Sequence, residues 1–536
     1  MTDVAETETE GRTARGAPVG LIVFGLMLGM FLSSLDQTVV STAMRTIADD
    51  LDGLTQQAWV TTTYLITSVI STALYGKFSD LHGRRPVYLV AVGVFLLGSL
   101  LCGLAQSMWE LAAFRAVQGL GAGGLMSLAF TVLADLVPLP ERTRYQAWFG
   151  SVFGVSAVVG PVLGGWFAGA DSFLGATGWR WAFFINLPIG AVAMLLIGLL
   201  LKLPKPQAAT RRTDVLGLLT LVVCLVPLLT AAEQGRSWGW GATLTLTLFA
   251  VGALGLVLFL LAERRAGEQA LLPLSLFHNR VFTLVNVVNV IVGMALFGVL
   301  TVLPMYLQIV KGLSPTRAGL MLLPQTVGIV VSGRVAGPYV AKTGNYKPVI
   351  VSGVALMTAS SWWLSATGTG TPLWQTGGAA LLMGAGVGFS WQVMLVAIQR
   401  NAEPSNMGAA ISSYTFFRQI GSTAGAAVFL AIFFGTVDAH VADAYAKAAH
   451  SPSFQAAAHD PAVASAPANQ VLLKGMDGSI DLNDTSFLKS ADPRLARPLL
   501  DAMTSSMSTV YLVSGCLLVL GVLVSLLVRQ RNSAAS

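Results

Sequence analysis

Asp36 is the side chain in this sequence best placed to do chemistry. It stands in Phe31-Leu32-Ser33-Ser34-Leu35-Asp36-Gln37-Thr38-Val39-Val40, inside an apolar run. An acid in hydrocarbon is costly unless it meets water or a partner. Low dielectric favours the protonated carboxyl, so such a group can take up and release a proton. The bland alternative is a structural acid in an interhelical hydrogen bond. Arg115 offers the complementary charge, in Leu111-Ala112-Ala113-Phe114-Arg115-Ala116-Val117-Gln118-Gly119-Leu120-Gly121. At a rise of about 1.5 Å per residue, Asp36 lies roughly 24 Å along its helix and Arg115 about 9 Å into its own from the opposite side. In a core about 30 Å thick these depths agree. Snorkelling of Arg115 to the headgroups is the competing reading.

A second cluster is the loop Gly76-Lys77-Phe78-Ser79-Asp80-Leu81-His82-Gly83-Arg84-Arg85-Pro86. Gly76 and Gly83 allow a tight reversal, and Pro86 suits the first turn of a following helix. Lys77, Arg84 and Arg85 beside Asp80 suit a salt-bridged latch at a membrane edge. A third is Gly150-x-x-x-Gly154 with Gly160-Pro161-Val162-Leu163-Gly164-Gly165. Glycines four apart share a helix face and admit another helix closely, while Pro161 favours a kink. The candidate cavity residues are Gln37, Gln118, Asn286, Asn289, Tyr306, Trp391, Gln392, Tyr414 and Arg418. For each of them apart from Arg418, ordinary helix packing is an equal reading. Arg418 stands near mid-membrane, too deep for easy snorkelling.

The elements that must position these residues are long apolar helices. The chain has 536 residues, 54% hydrophobic and 11% charged, too little charge for a soluble protein of this size. Fourteen spans are expected, at 20–42, 58–77, 87–105, 109–137, 146–169, 181–201, 215–232, 243–262, 282–309, 316–341, 348–366, 374–398, 408–435 and 508–528. Lys and Arg concentrate on the side of the N-terminus, so both termini are expected in the cytoplasm. The polar, acidic start is not read as a signal peptide. The net charge of +6 is read as membrane orientation, and nucleic acid is not an expected partner. Cys102, Cys224 and Cys516 fall in apolar runs with no disulfide or metal spacing. No phosphate loop, H-E-x-x-H or G-x-S-x-G occurs, so no cofactor and no enzyme activity are expected.

These motifs together resemble the major facilitator superfamily. The Gly76–Arg85 loop resembles its G-x-x-x-D-x-x-G-R-R pattern, and Arg115 to Gly119 its R-x-x-Q-G run. Asp36 to Val40 is similar to the L-D-x-T-V-V signature of the fourteen-span drug/proton antiporters, the QacA/EmrB-like group. Ser41 and Arg45 depart from that group's usual Asn and Pro. Gly160 to Gly165 looks like the antiporter motif of exporters, Trp179 to Pro188 like another run of the group, and Arg418 to Gly421 like its R-Q-x-G.

The resemblance implies an all-α integral membrane fold with two six-helix bundles and two inserted helices. It divides the chain into a tail at 1–19, a first bundle at 20–203 and linkers with the inserted pair at 204–281. A second bundle follows at 282–528, with a long outer loop at 436–507, read either as partly helical or as a low-complexity tether, and a tail at 529–536. A weak echo of the latch at Gly337 to Gly344 supports two related halves, with Ala341 where Asp80 would stand. The implied activity is proton-coupled export of amphipathic or cationic drugs, dyes or antibiotics by alternating access. In that reading Asp36 and Arg115 couple protons, and the Asp80 loop gates. The cell membrane is the expected location, the bilayer and a small amphipathic substrate the expected partners, and a monomer the working unit. An endogenous antibiotic, a lipid, an amino acid or passive facilitation remain alternatives.

Overall fold

Runs of Leu, Val, Ala and Phe punctuated by glycine and by capping side chains set the helix pattern. The computed structural model describes residues 19–52, 56–170, 172–173, 175–203, 214–403, 406–474 and 486–528. Expectations for both tails, for most of the first basic link and for 475–485 fall outside those residues.

The first group is α1 (Val19–Asp50), α2 (Gln57–His82), α3 (Arg84–Leu104), α4 (Met108–Leu136), α5 (Leu139–Ala168), α6 (Trp181–Phe184) and α7 (Asn186–Leu200). Two inserted helices follow, α8 (Val215–Trp238) and α9 (Thr243–Ala266). The later group begins with α10 (Arg280–Met305), α11 (Pro315–Leu320), α12 (Leu323–Thr343), α13 (Lys347–Ser365) and α14 (Leu373–Asn401). It ends with α15 (Met407–Ala448), α16 (Pro452–His459), α17 (Pro461–Ala464), α18 (Pro467–Lys474) and α19 (Pro493–Leu526). The only sheet among the described residues is a ribbon of two-residue strands, β1 (Ser172–Phe173) and β2 (Ala176–Thr177), before α6. Thirteen of the described helices are long and apolar enough to cross a membrane. α2, at 26 residues, is as long but more polar.

Local chemistry explains the helix ends. Ser107 accepts from the Glu110 amide at 3.2 Å, and the Glu110 carboxylate reaches back to the Gln106 amide at 2.9 Å, which satisfies two orphan donors at the start of α4. Asp214, Asn279, Ser314 and Asp492 cap α8, α10, α11 and α19 in the same way.

The helices fall into two packed sets. α2 and α3 lie on α4, and α1 lies on α5 and α7. In the other set α12 and α13 lie on α14, while α10, α15 and α19 pack mutually. The sets meet along α5 with α12 and along α2 with α15. α8 and α9 pair and dock on α2 through Ile66, Val69, Ile70, Leu221, Cys224 and Leu225.

The span expected at 181–201 corresponds to one at Gly178–Leu200, in which the single residue Ile185 separates α6 from α7 just ahead of Asn186 and Pro188. One expectation is corrected. The stretch 436–507 is not a loop in its described part. α15 continues to Ala448, α19 begins at Pro493, and α16 to α18 close the gap into a helical cap. Val437, Val441 and Tyr445 of α15 share one apolar core with Leu495, Leu499 and Met503 of α19, Phe454 and Leu472. The spacing of four residues puts each set on one helix face.

Candidate functional site

α1 carries two functional faces. Asp36 lies on the face turned into the first helix set and is fully buried. Its Oδ2 pairs with Arg115 Nη1 of α4. Its Oδ1 accepts from Gln118 Nε2 at 2.8 Å and from Asn186 Nδ2 at 3.0 Å. Arg115 Nη1 also donates to Gln118 Oε1 at 2.8 Å, and Asn186 Nδ2 to Ser99 Oγ at 2.9 Å. The Arg115 guanidinium lies 4.0 Å from the centre of the Tyr64 ring, whose hydroxyl is 3.2 Å from Ser33 Oγ. The carboxylate thus holds one cation and two neutral donors in a dry site. Arg115 Nε and Asn186 Oδ1 are buried without a hydrogen-bond partner among the described residues.

The opposite face of α1 walls a cavity of about 440 Å³ between the two helix sets. Ser34, Gln37 and Thr38 line it, but Asp36, Arg115 and Gln118 do not. The ion pair is therefore walled off from the cavity by α1 itself. From the list of expected cavity residues, Gln37, Trp391, Gln392, Tyr414 and Arg418 do line it. The remainder need correction. Gln118 belongs to the Asp36 cluster. Asn286 turns back to the Phe282 carbonyl at 2.9 Å, and Asn289 donates to the Tyr414 carbonyl at 2.7 Å. Tyr306 donates to the Gly368 carbonyl at 2.9 Å. These three use their polarity to satisfy backbone or helix contacts, the ordinary fate of buried polar groups. No carboxylate lines the cavity among the described residues, so the acidic anchor expected for a cationic cargo is not in its wall.

The latch residues converge at the end of the molecule that carries residue 19, here the inner end. Asp80 Oδ1 accepts from the Gly408 amide at 3.1 Å and Oδ2 from the Ala409 amide at 2.9 Å, at the first turn of α15. One carboxylate of the first set thus caps a helix of the second. Arg84 Nη1 donates to Asp80 at 2.5 Å, and Arg84 Nε to Asp135 at 2.7 Å. Arg85 reaches the Gly198 carbonyl of α7. Gly83 turns the chain with φ of 90°, a conformation that favours glycine. A Cβ on Gly76 would meet the Ser412 side chain and lie 2.7 Å from the Gly408 carbonyl. The same seam is bridged by Arg142 Nη1 to Gln399 Oε1 at 3.3 Å, Gln392 Nε2 to the Gln146 carbonyl at 3.2 Å and Thr72 Oγ1 to Gln419 Oε1 at 2.8 Å. Burial pushes the Arg142 guanidinium below its ordinary value, with Asp135 pulling the other way.

α5 divides its glycines between two neighbours. A Cβ on Gly160 or Gly164 would come within 2.5 Å of Thr38 Cβ or 2.9 Å of Thr42 Cβ on α1. One on Gly150 or Gly154 would come within 3.0 Å of Ile329 or 2.6 Å of Thr326 Cβ on α12. Gly165 faces open space, and Pro161 stands within the helix. Two participants in the Asp36 cluster were not singled out from sequence, Asn186 and Tyr64. An Asn in an apolar run two residues before a proline is the signal that could have marked the first. Tyr64 carries no such mark.

Long apolar helices around a central cavity, with a buried ion pair and no metal-binding cluster among the described residues, define a multi-pass membrane transporter. The chain belongs to the Major Facilitator Superfamily, whose family model matches residues 26–426. It is a secondary transporter that works by alternating access. It is similar to the multidrug transporter protein MdtP of Bacillus subtilis, at 35% identity over 76% of this chain and 73% of that protein. It is also similar to the efflux pump FUS6 of Gibberella fujikuroi, at 31% identity over 96% and 90%. The proton:xylose symporter XylE shares the fold at a TM-score of 0.56 and 16% identity, over 94% of each chain.

Proposed function

We propose that this protein exports amphipathic small molecules across the cell membrane in exchange for protons, as a fourteen-span antiporter of the QacA/EmrB-like type. In this reading α2 is the fourteenth span, and two six-helix bundles carry the inserted pair α8 and α9 between them. The Lys and Arg bias puts both termini and the inner end in the cytoplasm. The working unit is the single chain.

The observation that carries the reading is the Asp36–Arg115 pair. Its carboxylate is dry and held by three donors, so removing its charge loosens three contacts at once. A proton on Asp36 releases Arg115 and weakens the bonds from Gln118 and Asn186, which tie α1 to α4 and α7. The other side of α1 is cavity wall, so a shift of this helix on protonation reshapes the cargo site. The efflux pump FUS6, among the relatives, favours outward transport. The glycine faces of α5 suit a helix that slides against both α1 and α12.

The test is flux in proteoliposomes with an imposed pH gradient, across a panel of dyes and antibiotics. The wild type should accumulate cargo against its gradient. Asp36→Asn should insert and bind cargo but transport only downhill. Undiminished uphill transport by that variant overturns the assignment.

A further inference from the structure

The cavity wall carries a single fixed charge among its described residues, that of Arg418, and no Asp or Glu accompanies it. Arg418 is 8% exposed. Its guanidinium lies 4.9 Å from the centre of the Trp391 ring. Among the described residues it takes part in no ion pair, and its side chain makes no hydrogen bond. The other buried arginine of the spans, Arg115, is neutralised by Asp36, and that acid is on the far side of α1. Beside Arg418, Trp391 Nε1 is a second buried donor with no acceptor among the described residues.

A desolvated cation without a counter-charge is expensive. The contact with Trp391 offsets only a small part of that cost. An anion in the cavity would supply what the wall lacks, since a guanidinium fork binds a carboxylate through paired, charge-assisted hydrogen bonds. A cationic ligand would meet only repulsion. Most of the rest of the wall, including Leu65, Val69, Met126, Phe130 and Phe153, is apolar. The volume of about 440 Å³ lies in the range of small-molecule sites.

We propose that the cargo is an amphipathic organic acid, its anionic oxygens seated on Arg418 and Trp391 Nε1 and its apolar body against the remaining wall. This rests on the export reading above for the cavity being the cargo site, and it replaces a cationic cargo with an anionic one.

Two xanthene dyes of opposite charge, fluorescein and rhodamine 6G, test it. Binding of each to the purified full chain in nanodiscs is followed by fluorescence anisotropy at pH 7.5, with empty nanodiscs subtracted. The wild type should bind fluorescein at least tenfold more tightly than rhodamine 6G. Arg418→Gln should weaken fluorescein at least tenfold and leave rhodamine 6G unchanged or tighter. Trp391→Phe keeps the ring, loses the donor, and should weaken fluorescein about threefold. Equal or tighter binding of rhodamine 6G by the wild type overturns the proposal, and this arm needs no variant to fold. So does fluorescein affinity within twofold of wild type in Arg418→Gln. No pH gradient is present, so the result is independent of coupling. A clear preference for fluorescein in a protein that shows no gradient-driven flux would sustain the anionic site and overturn the exporter reading.

Discussion

Asp80→Asn is the perturbation whose size follows most directly from the geometry. Each carboxylate oxygen of Asp80 takes a different amide from the first turn of α15, Gly408 at 3.1 Å and Ala409 at 2.9 Å. Asparagine has one oxygen, so one of the two amides would face an NH2 group. The Arg84 contact lies within the first helix set and persists whether the seam is open or closed, so it drops out of the difference. What changes is one hydrogen bond to a charged acceptor, about 1.5–3 kcal/mol, and the attraction of a negative charge for a helix N-terminus, about 0.3–1 kcal/mol. Solvent at the seam trims the sum, and a loss of about 2 kcal/mol is expected, roughly thirty-fold in the closed-to-open ratio. Ser412 reports on the seam, because it is fully buried against Gly76. With Cys516, the exposed native thiol, changed to Ser, Ser412→Cys can be alkylated by an impermeant maleimide in inside-out vesicles. Adding Asp80→Asn should speed labelling about thirty-fold if opening is fast relative to alkylation. A rate within twofold of the parent would refute the claim that this cap holds the seam shut.

Three further outcomes follow from individual contacts. Asn186→Leu removes one of two neutral donors to Asp36 and should cut gradient-driven flux at least tenfold while the purified protein keeps its monodisperse elution; unchanged flux would mean that this bond plays no part in coupling. Gly154→Leu places a branched side chain against Thr326 and should cut gradient-driven flux at least tenfold while the purified protein keeps its monodisperse elution; unchanged flux would mean that α5 and α12 do not need this approach. In the helical cap, the Arg494 side chain holds the Asp492 carboxyl below its ordinary 3.8, so its contribution is present above about pH 4 and lost as pH falls through the lower folded value. Asp492→Ala should therefore destabilise the cap by about 1 kcal/mol equally at pH 5 and pH 8, measured by hydrogen exchange at the start of α19.

Matching depth along two helices was enough to bring Asp36 and Arg115 together as a candidate pair, because helix rise is constant and the bilayer supplies a common scale. Which face of α1 Asp36 takes was not legible. Its neighbours Leu35 and Gln37 each point about 100° away from it, and an apolar run that is buried on most sides has no polar stripe to orient it. Asn286, Asn289 and Tyr306 misled for a related reason, since a polar side chain in a span serves backbone acceptors as readily as a ligand. The cap was misread because its alanines look like a low-complexity tether, although alanine is the strongest helix former. Only the seam of Val437, Val441 and Tyr445 marks it as packed.

That cap also gives the molecule a handle. At about 1.5 Å per residue the 42 residues of α15 run roughly 63 Å, twice the hydrocarbon thickness. The extension is braced by α19, so it moves as one body with the later helix set and not with the earlier one. An antibody fragment clasping α16 and α18 would stand clear of the detergent belt and tilt with that half alone. Imaged in single particles, its angle to the belt would act as a pointer on a dial, reporting the rocking of the transporter one molecule at a time.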